Sequence, residues 1–219
     1  MTIVPFRPRT PNGPQSPVPP MFNIPPLTLY AMIVMVAVHV VFTLLPQELR
    51  AEWGYRLAFV SIRYTDPTLF DWTAIIAPFT HMFLHGGWMH IMMNGLMLLA
   101  FGAGAERMLG PKRTALLFVL CGLAGAATQF AIAPFSPVPM IGASGALSGL
   151  FAALTLRLQQ SGMMPAGRFG IWGVAALWIG LSLAMGFIGG SIGVGDVAWA
   201  AHAGGFIVGV LLMRVRYFN

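Results

Sequence analysis

Charge is scarce in this chain. Asp, Glu, Lys and Arg make up 8% of its 219 residues, against roughly 25% in an average soluble domain. Hydrophobic residues make up 57%, and so few charges cannot clothe a water-facing surface of that size. A soluble globular protein is thereby excluded, and one compact membrane domain is the natural expectation. Cysteine is almost absent. The single Cys121 rules out an internal disulfide and says nothing of redox compartment; it reads as a small buried hydrophobe. No apolar run directly follows Arg7 and Arg9, so no signal peptide is expected. No soluble domain and no long internal repeat are evident.

Long uncharged stretches are what the chain has instead. They predict an all-α polytopic membrane protein with six transmembrane helices, at 27–45, 87–105, 114–132, 143–158, 170–188 and 198–213, each near the length a bilayer demands. Residues 1–26 are too rich in proline for a helix and read as a flexible cytoplasmic arm. The six-span domain occupies 27–213, and residues 214–219 form a short cytoplasmic tail. The segment 46–86 mixes Trp53, Tyr55, Phe59, Tyr64, Phe70 and Trp72 with charges, which suits an outer loop lying half in the headgroups.

Twelve Lys and Arg against six Asp and Glu give a net charge of +6. Nine of the twelve basic residues fall in alternate loops counted from the N-terminus, and only Arg50, Arg56 and Arg63 fall in the others. This asymmetry puts both termini in the cytoplasm. It uses up the basic excess as a topology signal, so no nucleic-acid partner is expected; the lipid bilayer is the partner implied.

Polar groups inside the spans carry the functional signal: His39, His90, Asn94, Gln129, Ser144, Ser148, Ser182 and His202. Spans two, four and six all enter from the outer face. They place His90 and Asn94, Ser144, and His202 at one level, on the order of 5–10 Å below the outer ends at 1.5 Å per residue. Interhelical hydrogen bonding explains one such residue, but a shared level on three helices favours a site. Ser144 stands in Gly142-Ala143-Ser144-Gly145, at a helix start whose free amides and positive dipole favour an oxyanion. A serine there reads equally as an N-cap in a packing helix. A hydroxyl needs a base to act as a nucleophile, and His202 is the only histidine in the second half. Gly145-xxx-Gly149 and Gly205-xxx-Gly209 are helix-packing patterns that allow two backbones to come close.

His81 and His85 have the spacing of a zinc-protease helix, but Met82 replaces the general-base glutamate, and no acid lies between Asp71 and Glu106. No metal and no cofactor are expected. His85 is expected to brace the Gly86-Gly87 loop through the backbone, and His39 to serve packing or a hydrogen bond in the bundle. Ionisable groups spread through the membrane depth would suit a channel or transporter; here they cluster near one face.

The order His85-xxxx-His90-xxx-Asn94, then Gly142-Ala143-Ser144-Gly145, then Ala201-His202-xx-Gly205-xxx-Gly209 resembles the rhomboid intramembrane serine proteases over residues 27–213. The resemblance implies a Ser144–His202 dyad, an oxyanion hole helped by His90 and Asn94, and His85 holding the outer loop. It implies an endopeptidase of a bacterial inner or plasma membrane, cleaving membrane proteins through a transmembrane segment near the outer face. The alternative is a non-catalytic rhomboid-like protein that binds membrane clients.

Two departures stand out. Trp72-Thr73 replaces the Trp-Arg frequent in the family, which questions how the outer loop is anchored. Ser148 replaces the aromatic that commonly stacks on the catalytic histidine. Ser148 lies one turn beyond Ser144 on the same face, so its hydroxyl is a candidate acceptor for His202 Nδ1–H. Residues Gly189–Val197, with four glycines, read as a mobile cap, and span five as a substrate gate bearing Trp178 and Phe187.

Overall fold

The computed structural model describes residues 23–189 and 198–218, without the side chains of 187–189. These residues form an all-α protein, and among them no strand occurs. Of the outer cap expected at Gly189–Val197 only the backbone of Gly189, the last residue of α8, is described, and the rest of it and the Phe187 side chain lie outside the described residues.

Helix α1 (Pro26–Leu44) opens on a proline at its first turn, where the missing N–H is no loss. The outer segment follows as α2 (Gln47–Leu57), a 3-10 turn (Ser61–Tyr64), α3 (Trp72–Thr80) and a second 3-10 turn (His81–Phe83). Helix α4 (Trp88–Met97) runs through a π-helical turn (Leu98–Gly102) into α5 (Ala103–Leu109). Then come α6 (Pro111–Ile132), α7 (Ser144–Gln160), α8 (Gly170–Gly189) and α9 (Trp199–Leu212).

Among the described residues three rods are long and apolar enough to cross a membrane: Pro26–Leu44, Trp88–Leu109 and Pro111–Ile132. Gly170–Gly186 and Trp199–Leu212 are shorter apolar helices. Helix α7 sits at the centre, packed most heavily against α9 and α6 and also touching the α4–α5 rod and α8. Leu147, Leu150, Ala152 and Ala153 on it are fully buried. Side chains such as Ile33, Val41, Met92, Leu96, Leu177 and Leu181 point outward and are exposed, a surface that suits lipid and not water.

The α4–α5 rod runs to Leu109, four residues past the expected end of span two. The reason is Glu106, whose charge reads from sequence as a loop signal. Its carboxylate is buried and accepts Leu27 N at 2.9 Å, Thr28 N at 2.8 Å and Thr28 Oγ1 at 2.8 Å. It thus supplies α1 with the cap its own sequence lacks. Gly110, at φ +79°, then ends the rod in a conformation that favours glycine.

Arg63 organises the outer segment. Its side chain is 1% exposed. It donates to Asp71 Oδ1 at 2.9 Å, Thr73 Oγ1 at 2.7 Å and the Arg56 carbonyl at 2.8 Å. Asp71 in turn caps α3 by accepting from Thr73 N at 2.7 Å. The Thr73 hydroxyl and amide, helped by Arg63 and Arg56, hold the Asp71 carboxyl below the usual carboxylate range. The arginine that anchors this segment is Arg63, and Thr73 is one of its partners.

Candidate active site

The strand of chain that delivers Ser144 is fastened to the outer segment through its backbone. Phe59 N donates to Met140 O at 3.1 Å and Met140 N to Phe59 O at 2.8 Å. Ile62 N reaches Ser136 O at 3.1 Å, and Gly142 N reaches His81 O at 2.9 Å. Gly142 then turns at φ +110°, and α7 starts at Ser144. The helix start leaves amides free of intrahelical partners beside the serine hydroxyl.

Ser144 Oγ lies 2.7 Å from His202 Nε2, across α7 and α9. The short serine side chain reaches the imidazole because the two backbones nearly touch. A Cβ on Gly205 would collide with the Gly145 carbonyl, and one on Gly209 would come within 2.5 Å of Gly149 O. The third helix of this contact is α6, where a Cβ on Gly125 would stand 2.9 Å from Ala201 O, and the buried Cys121 fills the space a Cβ on Gly149 would take.

His90 and Asn94 come to the same place from α4. A Cβ on Gly142 would stand 2.7 Å from His90 Nε2 and 3.9 Å from Asn94 Nδ2. The bare glycine therefore leaves open space in front of both groups. Gly86 N approaches His90 Nδ1 at 3.4 Å as donor, which leaves the ring proton on Nε2, facing that space. Asn94 Nδ2 donates to His90 O at 2.9 Å. The two side chains offer donors next to the start of α7, as an oxyanion requires.

His85 meets the backbone on its N-terminal side, Nδ1 lying 3.2 Å from Phe83 O. The amide of Gly86 goes to His90 instead, and the His85 ring stands edge-on to His90 with centroids 5.1 Å apart. His81 and His85 are each pushed down to about 4 by burial. His39 packs its ring edge-on against Trp88 at 4.7 Å, with no hydrogen bond to either ring nitrogen among the described residues.

His202 Nδ1 meets Ser182 Oγ at 2.9 Å, not Ser148. The Ser148 hydroxyl is already engaged. It donates to Ser144 O at 2.7 Å and accepts Trp178 Nε1 at 2.9 Å. Trp178, expected at a substrate gate, is a hydrogen-bond donor within the site. Its ring lies 6.1 Å from Phe101, 4.9 Å from Phe151 and 6.4 Å from the His202 ring, tilted 35° to the last. Ser182 was visible as a polar residue in an apolar span, four positions after Trp178. That spacing puts the two on one helix face, which was the available signal.

A family model described as the Rhomboid domain matches residues 73–217. RHOMBOID-like protein 5 of Arabidopsis thaliana is 32% identical over 141 residues, covering 62% of this chain and 44% of that protein. The rhomboid protease GluP of Bacillus subtilis is 30% identical over 139 residues, 64% of this chain and 25% of that one. Inactive rhomboid protein 1 of Drosophila melanogaster is 33% identical over 75 residues, 34% of this chain and 5% of that one. The matches thus span less than half the length of each of these relatives. The family model takes in well over half of this chain, including every helix of the site, and with its apolar helices the chain is a multi-pass membrane protein that belongs to the rhomboid family.

Proposed function

We propose that the chain is an intramembrane serine endopeptidase acting on membrane proteins through a transmembrane segment. The observation that carries this reading is the 2.7 Å contact between Ser144 Oγ and His202 Nε2, held between helices that only glycine lets approach. His202 takes the Ser144 proton as the hydroxyl attacks a peptide carbonyl. The carbonyl oxygen becomes an oxyanion at the start of α7, beside the Ser144 amide, His90 Nε2–H and Asn94 Nδ2. His202 then protonates the leaving amine, and water reaching Ser144 from the outer face releases the acyl group. Neither step calls for a metal or cofactor. The domain spans the membrane six times with both termini in the cytoplasm of a bacterial cell, its dyad near the outer face.

The relatives' names include both a protease and an inactive protein, so a client-binding role without cleavage is the competing reading. One experiment separates them. Purified chain in liposomes should react with a fluorophosphonate probe and cleave a single-span substrate, and Ser144→Ala and His202→Ala should each abolish both. The double variant should be no worse than either single one, since the pair acts as a unit. Substrate binding without labelling or cleavage would favour the client-binding role.

A further inference from the structure

A dyad without an acid must still hold its imidazole in one orientation and one tautomer, because only a bare Nε2 accepts the serine proton. No Asp or Glu hydrogen bonds to His202 among the described residues; both ring nitrogens are taken by serines. The hydrogen bonds around Ser182 bear on which nitrogen carries the proton. Ser182 Oγ donates to the Trp178 carbonyl at 2.9 Å. Its one proton is so committed, and the oxygen turns lone pairs toward His202 Nδ1, 2.9 Å away. Nδ1 must then be the protonated nitrogen, which leaves Nε2 bare in front of Ser144.

A second relay fixes the wall behind the ring. Trp178 Nε1 donates to Ser148 Oγ, and Ser148 donates to the carbonyl of Ser144 itself. The indole is thereby held among the rings of Phe101, Phe151 and His202. Both relays start on α8 and end on the two residues of the dyad.

We propose that Ser182 is the positioning residue that sets the tautomer of His202, and that Trp178, fastened by Ser148, holds the ring in register with Ser144. The inference rests on the proposed dyad and adds to it the group that does the work of the missing acid. Ser182 touches neither substrate nor reacting atoms; it acts through the imidazole.

The test uses the full chain in liposomes. Ser182→Ala should lower kcat about tenfold or more, roughly 1.4 kcal/mol of barrier, while KM stays unchanged. Ser182→Thr keeps the hydroxyl and should restore most of the rate. The ¹⁵N spectrum of the His202 ring should report Nδ1–H in the parent chain and a mixture of tautomers in Ser182→Ala. Trp178→Phe keeps a ring and removes the donor, so it should slow the reaction several-fold, and adding Ser148→Ala to it should change little further. Full kcat in Ser182→Ala, or a His202 ring that carries its proton on Nε2 in the parent chain, overturns the inference and leaves the dyad intact. Undiminished cleavage by Ser144→Ala would instead remove the proposed function, and the spectrum would still decide the role of Ser182.

Discussion

Gly205→Ala adds one methyl group at the seam between α7 and α9. Its Cβ would stand 2.8 Å from the carbonyl carbon of Gly145 and closer still to the carbonyl oxygen. Carbon atoms in contact keep about 3.5–4.0 Å apart, so the two backbones must part by roughly 1 Å to admit it. Both atoms of the collision are backbone, and no side-chain rotation relieves it. Ser144 is the neighbour of Gly145, and His202 lies one turn before Gly205. The 2.7 Å hydrogen bond between them would stretch to about 3.7 Å, outside hydrogen-bond range. A misplacement of that size lowers catalysis on the order of 100-fold, and overpacking of the seam costs about 1–3 kcal/mol of stability. Cleavage of a single-span substrate in liposomes reads the first effect, and thermal unfolding in detergent reads the second. Gly145→Ala should do less harm, since its Cβ would meet Ala201 O at 3.3 Å, and Gly180→Ala should do none, since nothing lies within 4 Å of it. Wild-type activity and an unchanged unfolding midpoint in Gly205→Ala would refute the claim that the dyad depends on this contact.

Three further outcomes are expected. Glu106→Ala leaves the buried amides of Leu27 and Thr28 without an acceptor and should cost about 2 kcal/mol of stability by thermal or denaturant unfolding; an unchanged midpoint would show that α1 is capped otherwise. His81 and His85 are held to about 4 by burial, below the ordinary value near 6.5, so they contribute stability that is complete above about pH 6.5 and is lost as pH falls toward 4. The unfolding midpoint should therefore drop across that window, and less steeply in His81→Gln; a flat profile from pH 7 to 4.5 would contradict this. Trp178→Val removes the donor to Ser148 and should slow substrate turnover, whereas a purely gating residue on α8 would speed it when shortened.

The residues legible in the sequence were those whose chemistry is out of place in lipid. A serine flanked by glycine and a histidine in an apolar span are conspicuous, and depth along each helix followed from counting residues. What counting does not supply is rotation about the helix axis. The sequence offers Ser148 as the partner of His202, and only the way α8 docks on α7 and α9 brings Ser182 there instead. Contacts between distant segments were likewise hidden. Glu106 caps α1 across 78 residues of chain, and its charge reads locally as a reason to end a helix. Arg63 reads in the sequence as one more loop cation, although it is among the most deeply buried large side chains of the described residues. A buried cation of this kind announces itself only through partners, and those partners are set by the fold of 46–86.

The segment leading to Ser144 is secured by main-chain atoms at Ser136, Met140 and Gly142, while the side chains of Pro137, Val138 and Pro139 face outward. Main-chain bonds do not depend on which side chain is present. Lineages of this protein are thus free to drift at 137–139, presenting new chemistry to whatever approaches from outside, without displacing the nucleophile a few residues on. Gly142 has no such licence: its φ of +110° and the His90 ring beside it tie it to one identity. A library randomised over 136–143 should come out of selection with variety in the middle and uniformity at the glycine.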